Sequence, residues 1–318
     1  MMDATTINTN PNRRLIARHD YRDAIAASIK VNWRLEDIIG GNDKRLNFSR
    51  RFMPEPLARV EALEFLNEDE KRILNQIRGH AYLSIFGIVE EFIVPFVMDH
   101  IRPSLDEDDY RVRAYLQFAV EEVKHIQLFK LFCEEFRENF GTECGVIGPA
   151  SEIRKAILSR SPLSVALAIL MIEWMTQGHF IDSVKSDLKI DQQFRTLLKY
   201  HWLEEAQHAK LDALMVEVLA EGMNEEELSA AIDGFLEIGA FLDDGLKQQV
   251  LLDLDSFERA TGRVLTDGER QKFIEVQLRA NRWTYLGSGL VHPRFLETLD
   301  LFGPAQKERI AAITPAFC

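Results

Sequence analysis

Two copies of the spacing Glu-x-x-His constrain this chain more than any other feature of its sequence. They are Glu122-x-x-His125 and Glu205-x-x-His208, and each lies in an apolar run of helical periodicity. Residues three apart on an α-helix share one face, so each motif offers a carboxylate and an imidazole from one rigid element. About one Glu-x-x-His is expected by chance in a chain of this kind, so two copies alone are weak evidence. Their position in apolar helical runs is what indicates a buried metal site.

A buried carboxylate is predicted between the two motifs. The stretch Val165–Met175 is apolar all round except at Glu173, a pattern typical of a buried helix. No lysine or arginine lies within a helical turn of Glu173. A cation from elsewhere, such as a metal ion, is therefore expected to balance its charge.

A further helix is expected to supply one more glutamate. Its apolar run, residues 82–97, is interrupted by the adjacent acids Glu90 and Glu91. On a helical wheel Glu91 falls closer to the apolar side that Ile77 and Ala81 mark, so Glu91 is favoured and Glu90 is the alternative. Two Glu-x-x-His motifs, with one glutamate from each of two further helices, can hold a pair of metal ions in a helical bundle.

Helix start and stop signals recur along the chain and predict an all-α fold. The predicted N-terminal caps are Asn67 with Glu70, Ser104 with Glu107, Ser161 before Pro162, Asp191, Asn224 with Glu227, and Thr266 with Glu269. Pro103, Gly141 and Gly222 are expected to end helices, and a short helix is predicted over residues 151–158. Residues 67–222 would then form a four-helix core for two metals. Residues 1–66 would pack on this core, and residues 223–318 would add a C-terminal helical extension of the same domain.

Composition restricts the partners and the compartment. The 318 residues are 46% hydrophobic and 28% charged, as in an ordinary soluble globular protein. A net charge of −13 argues against nucleic acid or an anionic membrane as a partner. Three cysteines without a Cys-x-x-Cys pair fit a reducing cytoplasm. The start, residues 1–14, lacks the apolar core of a secretion signal, and no apolar run is expected to span a bilayer.

The pattern of these residues resembles that of the ferritin-like diiron carboxylate proteins over roughly residues 67–222. His201 lies four residues before Glu205, so His201, Glu205 and His208 share one helix face. This His-x-x-x-Glu-x-x-His run is similar to that of the diiron arylamine oxygenases, typified by the p-aminobenzoate N-oxygenase family. The resemblance implies the metal ligands Glu91 or Glu90, Glu122, His125, Glu173, His201, Glu205 and His208. Glu122 and Glu205 would bridge the two ions.

The resemblance also implies a cofactor and a reaction. Two iron ions are expected, with manganese or a mixed manganese and iron pair as alternatives, since imidazole suits iron better than calcium or magnesium. O₂ would be the co-substrate, and oxygen would be transferred to a small organic substrate. No flavin or nicotinamide site is visible in the sequence, so a separate reductase is expected to donate electrons. A homodimer is the expected assembly.

Residues beside the ligands have further predicted roles. Asp212, one turn after His208, is a candidate to orient that histidine, with a surface salt bridge as the alternative. Tyr115, two turns before Glu122, is a candidate for oxidation, as in the radical-generating subunit of ribonucleotide reductase, although packing is favoured. Glu121 and Glu204 are expected to face solvent or to pair with lysines.

Two other classes of protein remain as alternatives. A ferritin-like iron-storage protein would use similar ligands, but the long C-terminal extension argues against it. A metal-free helical interaction protein would not explain why buried acids occur in register with the Glu-x-x-His motifs. For an anionic substrate, Arg78, Arg111 and Arg113 are candidates only by their place in the sequence.

Overall fold

The computed structural model describes residues 20–41, 43–105 and 109–318. These residues form helices joined by turns, and the described ranges contain no β-strand beyond an isolated bridge between Arg51 and Ile190. The prediction of an all-α fold is confirmed. The polar start, residues 1–14, and the predicted cap partner Glu107 lie outside the described residues.

The α-helices, in chain order, are α1 Tyr21–Val31, α2 Leu35–Ile38, α3 Glu55–Ala58, α4 Glu68–Ile101, α5 Asp109–Phe140, α6 Ala150–Leu158, α7 Pro162–Gly178, α8 Gln192–Ala220, α9 Glu225–Thr261, α10 Asp267–Arg282, α11 Ser288–Leu290, α12 Pro293–Thr298 and α13 Pro304–Ile313. Two π-helical segments, His179–Val184 and Trp283–Gly287, directly follow α7 and α10. Short 3₁₀ turns are Val60–Ala62, Arg102–Ser104, Leu299–Phe302 and Thr314–Phe317.

The predicted caps determine where α4, α7, α8, α9 and α10 begin. Ser104, the cap predicted for the second long helix, lies instead in the 3₁₀ turn Arg102–Ser104, and α5 begins at Asp109. At the start of α4, the Asn67 side chain accepts a hydrogen bond of 3.0 Å from the Glu70 N–H, and the Glu70 carboxylate accepts one of 2.8 Å from the Asn67 N–H. This exchange satisfies two amides that a helix start leaves without a partner. Equivalent capping boxes open α9 and α10, and Ser161 and Asp191 cap α7 and α8.

Replacing Asn67 with alanine should lower the free energy of unfolding by about 1 kcal/mol, because the first turn of α4 loses its cap. Urea unfolding followed by circular dichroism measures the change. Asn32 is exposed, and the matched change Asn32→Ala should shift the free energy by less than about 0.5 kcal/mol. Equal effects of the two changes would contradict the capping argument.

Four long helices form the centre of the molecule. Helix α4 packs along α5, α7 packs along α8, and α5 also contacts α8. Helix α7 is buried along almost its whole length, which explains its nearly uninterrupted apolar sequence. The N-terminal helix α1 lies against α5 and α8, while α9 lies against α4 and α7. Most of the four central helices are therefore covered by other helices.

Two helices, Glu68–Ile101 and Pro162–Val184, are long and apolar enough to cross a membrane by length and composition. This differs from the expectation that no apolar run is long enough. Within the described chain, 61% and 83% of their most apolar windows are buried by the rest of the protein. Packing in the core is therefore sufficient to account for their composition.

Candidate metal centre

Buried carboxylates and imidazoles from α4, α5 and α8 converge between the helices. They form two overlapping groups in which one ligand atom per residue lies within 4.8 Å of the others. The groups are Glu90, His125, His201 and Glu205, and Glu122, His125, Glu205 and His208. Ligand atoms bound about 2.0–2.2 Å from one ion lie about 4 Å apart across it, so each group has the size of a metal site.

Glu205 lies at the centre of the cluster and belongs to both groups. Its Oε1 is 3.0 Å from Nδ1 of His125, 3.0 Å from Nε2 of His201 and 3.5 Å from Nδ1 of His208. A carboxylate has two oxygens and can bind two ions at once, whereas an imidazole that faces the centre with one nitrogen binds one. Glu205 is therefore the residue best placed to bridge two ions.

Glu122 and Glu90 complete the two groups from α5 and α4. Oε1 of Glu122 lies 2.8 Å from Nδ1 of His208, and Oε1 of Glu90 lies 3.0 Å from Nε2 of His201. Both carboxylates are buried. Glu122 is predicted to bridge as well, but it belongs to only one of the two groups.

Several atoms that face this centre have no hydrogen-bond partner among the described residues. They are both oxygens of Glu122, Oε2 of Glu90, Oε2 of Glu173, Oε1 of Glu205, and Nδ1 of His125 and His208. Such atoms cost about 1–3 kcal/mol each when they are buried and unsatisfied. These oxygens and nitrogens lie close together without the geometry of hydrogen bonds, as is expected of ligand atoms that point at a common cation. The donor set thus fits a metal ion on the geometry of the chain alone.

Glu173 enters the same region from α7. Its side chain is buried, and it interacts directly with the carboxyl group of Glu205. Burial, together with the neighbouring charges of Glu205 and Glu122, holds the pKa of Glu173 well above its usual range. Glu173 falls outside the two tightest ligand groups, but it faces Glu205, which both groups share together with His125. Its burial agrees with the apolar helix predicted from the sequence.

The structure corrects the choice between Glu90 and Glu91. Glu90 is buried in the cluster beside His201, whereas Glu91 points away and pairs with Lys130 at 3.0 Å. The wheel favours Glu91 because it takes its reference from the start of α4. There the helix is buried on other sides as well: Asn75 is buried, and its side-chain oxygen accepts a hydrogen bond from the backbone N–H of Phe52.

The outer nitrogens of two histidines are held by glutamates from the opposite helix. Nε2 of His125 on α5 lies 2.9 Å from Oε2 of Glu204 on α8, and Nε2 of His208 on α8 lies 2.8 Å from Oε2 of Glu121 on α5. Each contact leaves Nδ1 facing the centre, and such outer partners commonly orient metal-binding histidines.

Glu121 and Glu204 are therefore buried rather than solvent-facing, although Glu204 also binds Lys124 as the sequence allows. The sequence does contain a feature that could have predicted their role. An additional glutamate directly precedes each motif, so that both read Glu-Glu-x-x-His.

N-terminal residues cover this outer layer. The Ser28 hydroxyl on α1 donates a short hydrogen bond to Oε1 of Glu121. The Trp33 ring stacks on the imidazole of His125 at a centroid distance of 5.9 Å. The N-terminal segment thus contributes to the surroundings of the centre, which explains why Glu121 is not exposed.

Asp212 and Tyr115 take positions that differ from their candidate functional roles. Asp212 is buried, but the outer nitrogen of His208 binds Glu121, so Glu121 has the orienting role suggested for Asp212. Burial holds the pKa of Asp212 well above its usual range. Tyr115 is buried and donates a 2.8 Å hydrogen bond to the carbonyl of Leu211, in agreement with the packing role.

Replacing Glu204 with glutamine should weaken metal binding about 10–100-fold, because His125 loses its charged acceptor while the helix keeps its shape. Glu121→Gln should have a similar effect through His208. Competition with a coloured chelator measures the affinity. The exposed Glu134 on α5 provides the control Glu134→Gln, which should leave the affinity unchanged. If either outer variant bound metal as tightly as the unchanged protein, its glutamate would have no positioning role.

Without metal, the cluster should bind protons. Burial raises the pKa of Glu90 to about 8. Burial lowers the pKa of His201, but Glu205 and Glu90 outweigh it and raise the pKa to about 9. At pH 7 both groups are then mostly protonated, and a metal must displace those protons. Metal loading at pH 7 should release at least about one proton, and the release should decline above pH 9. Calorimetry in buffers of different ionisation enthalpy measures this release.

Comparison of the sequence with protein-family models and with curated proteins gives no match. The class of protein is therefore defined by its fold and its buried cluster alone. The chain is an all-helical protein with a buried group of carboxylates and histidines that could hold a metal ion.

Proposed function

We propose that this chain is a non-haem diiron oxygenase or oxidase with a ferritin-like four-helix core formed by α4, α5, α7 and α8. The observation that carries the proposal is the pair of overlapping, buried ligand groups that share Glu205 and His125. Both Glu-x-x-His motifs contribute residues to each of the two groups. Oxygenation of the nitrogen of an arylamine is the first reaction to test, since the His201 spacing resembles that of the arylamine oxygenases.

The donor set supports iron, with manganese as the alternative. Imidazole nitrogens and carboxylate oxygens suit these ions, and no cysteine belongs to either ligand group. Glu90, Glu122, Glu173 and Glu205 would together balance the charge of two divalent ions. When bound, a ferrous pair would supply electrons and open coordination positions for the reduction of O₂.

The residues of the chain have three tasks in this proposal. The four glutamates with His125, His201 and His208 hold the ions. Glu121 and Glu204 fix the orientation of His208 and His125. Aromatic rings exclude water, since the ring of Phe118 stacks on His208 at 4.1 Å and the ring of Phe129 lies 5.1 Å from His201.

The overall reaction requires outside electrons. Insertion of one oxygen atom into an amine while the other leaves as water consumes two electrons and two protons. A separate reductase would supply the electrons. The protons would come from solvent.

The proposal is tested by anaerobic loading with ferrous iron, followed by elemental analysis and then by exposure to O₂ with 4-aminobenzoate. About two irons per chain, and a labelled oxygen atom in the N-oxygenated product formed under isotope-labelled O₂, would support it. Glu122→Ala serves as the variant that should lose both iron and product. Metal at trace level only, with Glu122→Ala unchanged from the natural chain, would overturn it.

The same experiment separates the alternative functions. Two irons that form ferric oxide slowly, without oxidising any amine, would favour iron storage. A tyrosyl radical signal after exposure to O₂, absent in Tyr115→Phe, would favour a radical-generating protein. The hydrogen bond from Tyr115 to a backbone carbonyl gives no specific support to that second outcome.

A further inference from the structure

One side of helix α5 is exposed although it is apolar. The exposed fractions are 40%, 63%, 43% and 38% for Leu116, Val120, Val123 and Leu131. Their spacing of four, three and eight residues keeps them in a single stripe along the helix. The stripe is roughly 22 Å long, because a helix rises about 1.5 Å per residue. Single exposed apolar side chains are common, whereas a continuous stripe indicates a surface that another molecule covers.

The stripe faces away from the candidate metal centre. Glu122 and His125 lie on the opposite side of α5, where both are buried. The helices that pack on α5 approach from other directions, as α1 does where Ser28 binds Glu121. A molecule bound to the stripe would therefore cover the outer side of the helix that carries the first Glu-x-x-His motif, without contacting the ligand residues.

The two ends of the stripe carry opposite charges. Arg113 lies three residues before Leu116, and Glu134 lies three residues after Leu131. Both charged side chains are exposed on the same side of α5 as the stripe. They are about 31 Å apart along the helix, so they cannot pair within one chain. A surface with an apolar centre and opposite charges at its ends is complementary to a second copy of itself, rotated by half a turn.

One register of two antiparallel α5 helices matches the apolar residues and the charges at the same time. With a two-fold axis near Val123, Leu116 lies opposite Leu131 of the partner subunit. In the same register Arg113 lies opposite Glu134 of the partner subunit. The axis repeats each contact, so one dimer contains two such apolar contacts and two such ion pairs.

We propose that the exposed apolar side of α5 is the surface through which two copies of this chain form an antiparallel, two-fold dimer. The proposal assigns an interface to the homodimer that the sequence leads us to expect. It involves no metal ligand, so it does not rest on the proposed function. Arg113, a candidate for substrate binding only by its place in the sequence, belongs instead to this interface.

Sedimentation equilibrium at a series of protein concentrations tests the proposal. The natural chain should show the mass of two 36.6 kDa chains and should dissociate on dilution, which gives the dissociation constant of the dimer. Metal-free protein is used, so that the result does not depend on the proposed function.

A charge in the middle of the stripe should break the dimer. Val120→Glu places an acid near the axis in both copies and should raise the dissociation constant at least about 100-fold, because buried like charges oppose association. Val120 is the most exposed residue of the stripe, so the variant should fold, and circular dichroism checks this. Val264→Glu, the same change at a valine that is 82% exposed elsewhere, should leave the constant unchanged.

Exchange of the charges at the ends of the stripe tests the antiparallel register. Arg113→Glu should weaken the dimer about tenfold, because two acids then face each other at both ends of the interface. Glu134→Arg should weaken it similarly, because two cations then face each other. A one-to-one mixture of the two variants should associate as tightly as the natural chain, since each variant meets opposite charges on the other.

Three results would overturn the proposal. They are a natural chain that stays monomeric at every concentration, a dimer that Val120→Glu does not weaken, and a mixture of the two charge variants that associates no better than either variant alone. The variants should all bind as much iron as the natural chain, because Glu122 and His125 face the other side of α5. Loss of the dimer and failure of the metal site are therefore distinguishable.

Discussion

Replacing Glu205 with glutamine should abolish tight loading of the two proposed metal ions. Oε1 of Glu205 is the atom on which His125, His201 and His208 converge, and a neutral amide cannot bridge two cations as a carboxylate does. The loss should exceed the roughly 10–100-fold that removal of an outer acceptor costs. Elemental analysis after anaerobic loading measures the bound metal.

The exposed Glu221, just beyond the end of α8, provides the control Glu221→Gln. It removes the same charge from the chain and should bind as much metal as the unchanged protein. Retention of both ions by a folded Glu205→Gln protein would show that Glu205 does not join two metal sites.

Glu90→Gln and Glu91→Gln form a matched pair at adjacent positions of α4. Glu90→Gln should lose about half of the bound metal, because the group of Glu90, His125, His201 and Glu205 loses a charged ligand. Glu91→Gln should retain all of it, since Glu91 pairs with Lys130 outside the cluster. Metal content and thermal unfolding with and without iron measure both changes.

The opposite result, with metal lost in Glu91→Gln and kept in Glu90→Gln, would require α4 to be rotated by about one residue from the arrangement described here. If both variants retained all of the bound metal, α4 would contribute no ligand to the site.

The sequence predicts the helices well because their signals are local. Asn67, Ser161 and Asp191 each accept a hydrogen bond from the amide three residues ahead, and such caps depend little on the rest of the fold. The burial of Glu173 is equally predictable from the sequence. Its helix is apolar on all sides, so Glu173 is buried however the helix is rotated.

The choice within α4 depends on packing that a helical wheel does not contain. Helix α4 is buried on more than one side. Ile77 and Ala81 are buried on one side, whereas Gly79, which packs against Phe52 and Phe194, and Phe86, which faces His201, lie on the side that also carries Glu90. An apolar side identified at one end therefore does not mark the side that faces the cluster at Glu90. The position of Glu121 is hidden for a similar reason, since α1 covers a face that would otherwise meet solvent.

The exchange of acids between α5 and α8 makes the two motifs interdependent. Glu121 positions the histidine of the other motif, and Glu204 does the same in return. Neither helix carries a self-sufficient half of the site, so one Glu-Glu-x-x-His segment transplanted into another bundle would present a histidine with no acceptor for its outer nitrogen. In this fold the smallest unit that could be transferred is the antiparallel pair of helices α5 and α8, with both segments kept in register.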